Sequence, residues 1–107
     1  MASLSIQDID LDGVELTYTT ATTEDTFNNN YDNIILFLKN TDTSTHTATL
    51  VAQKECNQGF LHDQEIDVSA EEVRIITDID SSRFNDENNE VHITYDDDTM
   101  FEVAVGR

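Results

Sequence analysis

The residues best placed to do chemistry are acidic. Asp8-Ile9-Asp10-Leu11-Asp12-Gly13 sets three carboxylates at alternate positions ahead of a glycine. That is the first half of an EF-hand loop, in which hard oxygen ligands gather around Ca2+ and the glycine permits a sharp turn. Asp8, Asp10 and Asp12 are therefore the candidate metal ligands, with calcium as the ion; no other cofactor is expected. The second half of the loop fails, because Thr19 stands where a bidentate glutamate should close the shell and no helix pattern flanks it. In a chain with fourteen aspartates, the competing reading is surface acidity with a turn glycine. Cys56 and His62 could form a thiolate–imidazole pair, yet nothing orients the histidine and no nearby base lowers the thiol's pKa. They read as a packed thiol and a loop histidine. His46, inside an alternating run, and His92, pointing opposite to Val91 and Ile93, read as structural or exposed. Asp96, Asp97 and Asp98 crowd a turn tip, whereas glycoside hydrolysis needs two carboxylates facing across a cleft. With no glycine-rich phosphate loop and no serine nucleophile motif, the chain does not read as an enzyme.

Charge narrows the choice further. Twenty-three acids against five bases give a formal net charge of -18. Lys39, Lys54, Arg74, Arg83 and Arg107 are scattered, so there is no basic patch with which to hold nucleic-acid phosphates. Such self-repulsion is relieved by screening salt. An acidic chain with few aromatics can be partly disordered, or it can be a folded protein adapted to very high salt. The alternating strand patterns favour the second, and two lysines beside fourteen Asp and fourteen Thr fit a halophile's surface. The single cysteine rules out an internal disulfide and a four-cysteine metal site. No apolar run approaches the roughly 20 residues that cross a bilayer. Met1-Ala2-Ser3-Leu4 has neither the positive charge nor the long apolar segment of a signal peptide, so use without export is expected.

The elements that must carry these residues are strands. Ile34-Ile35-Leu36-Phe37-Leu38 is an apolar run too short for a buried helix and suited to a strand covered on both faces. Lys39 to Ser44 break it with turn formers, and from Thr45 the chain alternates, with His46, Ala48, Leu50 and Ala52 to one side. Residues 33–53 are expected to form a central β-hairpin. A second hairpin is expected where Val91, Ile93 and Tyr95 alternate, Asp96 to Thr99 turn, and Phe101, Val103 and Val105 alternate back. Leu4 and Ile6 suggest an edge strand, Val14 to Tyr18 another, and Val73, Ile75, Ile76 and Ile79 a further one. Thr19 to Tyr31 reads as a long polar loop pinned at Phe27, and Ser81 to Glu90 as a polar loop anchored by Phe84. Residues 1–107 thus read as one all-β domain, an immunoglobulin-like or jelly-roll-like β-sandwich of seven or eight short strands with polar turns and no convincing helix.

Several strings together carry a resemblance. They are Phe27-Asn28-Asn29-Asn30, Leu38-Lys39-Asn40, Cys56-Asn57-Gln58-Gly59-Phe60-Leu61-His62-Asp63, Val68-Ser69-Ala70, Arg83-Phe84-Asn85-Asp86 and Val91-His92-Ile93-Thr94-Tyr95. Over roughly residues 14–105 the chain resembles small β-sandwich proteins encoded among the virion structural genes of tailed phages. The resemblance implies a structural role in the particle, as head decoration or another minor capsid component, with no catalytic residues to transfer. It departs from that pattern at Glu71-Glu72, where glycine is expected, and in its heavier acid load, which would suit a virus of a halophilic archaeon. The implied partners are the major capsid protein or other virion proteins and further copies of the chain, without nucleic acid or membrane. The implied location is the capsid surface of a virion assembled in the host cytoplasm. Arg83 and Phe84, an arginine and an aromatic together in a polar loop, are the candidate partner contact, since such residues are enriched at binding hot spots; the competing reading makes Phe84 core and pairs Arg83 with a surface acid. Two alternatives stand beside head decoration: a tail or baseplate component that binds a host receptor, and a cellular calcium- or carbohydrate-binding module.

Overall fold

The computed structural model describes residues 2–9, 13, 15–30, 33–53 and 63–107. Cys56, His62 and the Gly59-Phe60 connection lie outside the described residues. Ten strands are formed: β1 (Ala2–Ser3), β2 (Ile6–Gln7), β3 (Thr19–Thr20), β4 (Glu24–Asn28), β5 (Ile35–Asn40), β6 (His46–Val51), β7 (Gln64–Val68), β8 (Val73–Ile76), β9 (Glu90–Tyr95) and β10 (Phe101–Gly106). Among the described residues the helical elements are a single turn, α1 (Ser81–Phe84), and a 3-10 turn over Asp98–Met100. Sheet I has the order β1-β4-β9-β6-β7, and sheet II the order β2-β10-β5-β8, with β3 also beside β10. The protein is an all-β sandwich, as the alternation implied.

From β3 to β10 the antiparallel pairs are nested: β6 with β7, β5 with β8, β4 with β9 and β3 with β10. The chain behaves as one long ladder folded back between β6 and β7 and then rolled up. Rolling brings β10 onto β5 and β6 onto β9, which completes both sheets. An immunoglobulin sandwich would order its strands ABED and CFG; here the first strand of the roll lies beside the last. The winding is that of a jelly roll.

Both expected hairpins are corrected by this topology. β5 and β6 do not pair; β5 lies in sheet II and β6 in sheet I, joined by residues 41–45. β9 and β10 are likewise in opposite sheets, joined by residues 96–100. The physical reason is that period-two alternation reports which face of a strand is buried, not which strand lies beside it. Five linking residues reach roughly 16 Å, more than the ~10 Å between packed sheets, so either connection was sterically open. The loop expected over 19–31 is also corrected, since β4 occupies Glu24–Asn28 within it. Its polar composition hides an inward Asp25, wholly buried, which accepts from the Thr22 hydroxyl (2.6 Å), the Thr22 amide (3.1 Å) and the Tyr95 hydroxyl (2.8 Å). Residues 15–18, expected as a strand, form none; after β2 the next strand pairing is at Thr19.

The core is filled by the inward residues of both sheets: Phe27, Leu50, Val68, Val91 and Ile93 from sheet I, and Leu36, Leu38, Phe101, Val103 and Val105 from sheet II. One buried polar side chain fastens this apolar interior. Asn40, at the end of β5, donates from Nδ2 to the carbonyls of Ser44 (2.7 Å) and Val68 (2.9 Å) and accepts from the Asp42 amide (2.9 Å). Its own amide donates to the Glu72 carbonyl (3.0 Å). It thereby ties the 41–45 arch to the crossing at 69–72. That crossing turns through Glu71 in the left-handed region (φ +58°), a conformation that glycine adopts without steric cost. Asn40→Ala would orphan buried backbone groups, each worth about 1–3 kcal/mol, so a loss of roughly 2–4 kcal/mol is expected. Urea denaturation of the two proteins measures it.

Candidate functional site

Of the acidic motif, Asp8 directly follows β2. Asp8 pairs with Arg107, Oδ1 to Nε at 3.0 Å, while Asp10 and Asp12 lie outside the described residues. Gly13 has φ +82°, the left-handed turn conformation that needs glycine. Among the described residues, no three His, Cys, Asp or Glu stand together in a way that would hold a metal ion.

Arg83 and Phe84 sit on α1. Asp80 caps this turn, accepting from the Ser82 amide at 2.9 Å. The turn aims Phe84 inward, where it is 5% exposed and belongs to the core. Arg83 lies over the ring of Phe84, its guanidinium carbon 4.6 Å from the centroid. The pair is therefore stacked rather than jointly displayed, and only Arg83 can meet a partner. Phe84→Ala should cost about 3–5 kcal/mol, whereas Arg83→Ala should cost about 0.5–1 kcal/mol, the value of a partly exposed cation–π contact. Thermal melts of the two single variants separate the anchor from the surface residue.

The side-chain clusters that sequence reasoning missed centre on histidine. His46 Nε2 lies 2.7 Å from Asp42 and Nδ1 lies 3.2 Å from Asp96, joining the 41–45 and 96–100 arches. Its ring stands edge-on to Phe101, centroids 6.3 Å apart. His92 Nε2 lies 2.7 Å from Asp86 and Nδ1 lies 3.5 Å from Glu24, joining the loop after α1 to β4. Donation from both ring nitrogens is open only to imidazolium, so each site favours a cation clamped between two acids. Hydrogen bonding to Asp42 raises the His46 pKa against partial burial, helped by Asp96. Burial opposes charging of His92, but Asp86 and Glu24 outweigh it and raise its pKa as well. The histidines in turn hold Asp42 and Asp86 below the ordinary carboxylate range. Sequence spacing shows only the Asp42–His46 pair; Asp96 comes from the 96–100 arch, Asp86 from the loop after α1 and Glu24 from β4. Tyr95 is pushed well above its usual pKa by burial and by Asp25, so its hydroxyl stays a donor.

These clamps supply a pH dependence with a definite sign. Each histidine contributes fully below its unfolded pKa of about 6.5, and the contribution is lost as pH rises through the raised folded value. Asp42 and Asp86 contribute above about 3.9 and lose it as pH falls through their lowered values. Stability should peak between roughly pH 4 and 6.5 and decline on the alkaline side. Melting temperature against pH measures this, with His46→Gln plus His92→Gln flattening the alkaline limb.

Comparison of the chain with protein-family models, with curated proteins and with solved structures gives no match in any of the three.

Proposed function

We propose that the protein is a structural component of a virus particle, decorating or stabilising the head of a tailed virus from a high-salt environment through protein–protein contacts. The observation that carries this reading is how the strings that resemble phage virion proteins meet in the fold. Asn40, closing the Leu38-Lys39-Asn40 string, donates to Val68 of the Val68-Ser69-Ala70 string (2.9 Å). Asn29 donates to Asn85 Oδ1 (2.8 Å), joining the Phe27–Asn30 and Arg83–Asp86 strings. Asp86 holds His92, and Phe27 lies opposite Val91, which brings in the string from Val91 to Tyr95. Strings scattered along the chain are thus partners across it, as expected if they specify one common framework. The acid load supports the high-salt part of the reading, because hydrated carboxylates keep a surface soluble where screening is strong. Fold alone decides no function; jelly rolls serve capsids, lectins and cupins alike.

Quantitative mass spectrometry of purified particles tests it by counting copies per major capsid protein. A ratio fixed by the capsid lattice is the expected result. A handful of copies would move the protein to the tail or baseplate, and its absence from particles would overturn the virion reading.

A further inference from the structure

β8 is the last strand of sheet II, and no described strand pairs with its far side. β7 holds the same position in sheet I. The two edges are protected differently. β7 turns Glu65 and Asp67 to solvent, both exposed, as natural edges do to repel another strand. β8 reads Val73-Arg74-Ile75-Ile76, without an acid, and leaves Val73 41% and Ile75 63% exposed. In a chain of net charge -18, an edge strand that holds no acid between Glu72 and Asp78 and carries a cation is the place where a like-charged copy can approach. Left-handed residues bound the strand on either side, Glu71 (φ +58°) and Asp78 (φ +56°), so it offers a short ladder with defined ends.

We propose that this edge is a homodimer contact, in which β8 of two copies pair antiparallel about a two-fold axis at Arg74 and sheet II runs on into the second molecule. The register follows from the side chains. Centring on Arg74 sets Val73 opposite the second copy's Ile75 and Ile75 opposite its Val73, so the exposed apolar residues cover each other. Outward on the same face lie Phe37, beside Ile75, and Lys39, beside Val73, both half-buried. The same register sets the second copy's Glu72 diagonal to Arg74, within reach of a long side chain, and symmetry repeats the pair. Two arginines and two glutamates leave the ladder neutral. So short an edge buries less than the ~1,200 Å² of a standard interface, which makes the dimer weak and concentration-dependent. Repulsion between the two bodies opposes it in dilute buffer and is screened within about 3 Å at 1 M salt, so association strengthens with salt. The contact rests on the fold alone and stands apart from the virion reading.

Sedimentation velocity over a concentration series, in dilute buffer and in molar KCl, tests the dimer. The expected result is a dimer in molar KCl that dissociates in dilute buffer and is lost in Ile75→Lys while circular dichroism and melting stay unchanged. For the register, Arg74→Cys in a Cys56→Ser background should oxidise to a covalent dimer, since directly opposed antiparallel residues sit about 4.5–5.5 Å apart, within disulfide range. Asp67→Cys on the β7 edge should not. A wild-type protein that stays monomeric in molar KCl, a dimer indifferent to Ile75→Lys, or cross-linking through Asp67→Cys instead would each overturn the proposal. A monomer whose attachment to particles is lost in Ile75→Lys would also overturn it, assigning the edge to another virion protein.

Discussion

The buried amide of Asn40 is the constraint on which the rest of the sandwich depends. An aliphatic core of Leu, Ile, Val and Phe fills space well but says little about register, because a strand displaced by two residues still buries the same face. A fully satisfied polar group in that interior is specific, since any displacement strands its donors at several times the gain of one bond. Asn40 meets both the 41–45 arch and the 69–72 crossing, so the two passages between the sheets are set together. Around it, Thr41 donates its amide and hydroxyl to the Met100 carbonyl, both at 2.9 Å, and Glu71 donates its amide to the Asp42 carbonyl at 3.1 Å. Three connections thus converge at one end of the roll. No described buried side-chain polar atom there or elsewhere lacks a partner.

The faces of the strands were legible from alternation, and their neighbours were not. Ala48 and Leu50, Val91 and Ile93, and Phe101, Val103 and Val105 all point inward as their spacing implies, and Phe84 anchors its polar loop. Sandwich class therefore followed from composition and period. The choice of jelly roll did not, because it turns on whether five residues double back or cross over, and turn formers serve either purpose. β4 was concealed by its own chemistry: of its two inward residues only Phe27 is apolar, and Asp25 reads as polar surface until its donors, Thr22 and the distant Tyr95, are known. The histidine clamps were hidden for the same reason. All four of their carboxylates come from other strands or connections, only Asp42 at a spacing the sequence shows, and residue type does not disclose such meetings.

Charge in this molecule is organised rather than merely abundant. Its cations are few, and the two described histidines act as further ones, each held between acids that lie on different elements. Carboxylates that would repel one another across a connection are converted into attachments for it. On the outer face of sheet I, threonines answer acids across the ladder, as where the Thr47 hydroxyl donates to Asp67 at 2.8 Å. Sheet II carries fewer acids on its outward positions, and its edge strand β8 carries none. The electrostatic asymmetry of the two sheets is the main distinction the surface offers.

The winding also dictates when the chain can begin to be a protein. β10 is the last strand of the roll to be synthesised, yet it lies inside sheet II, touching β2, β3 and β5, and it brings Phe101, Val103 and Val105 to the centre of the core. Among the described pairs, β6–β7 has the shortest separation in sequence, and the β3–β10 pair must close the whole span between them. Until β10 is in place, the inward residues of β5 that it pairs with and the core positions it fills stay uncovered.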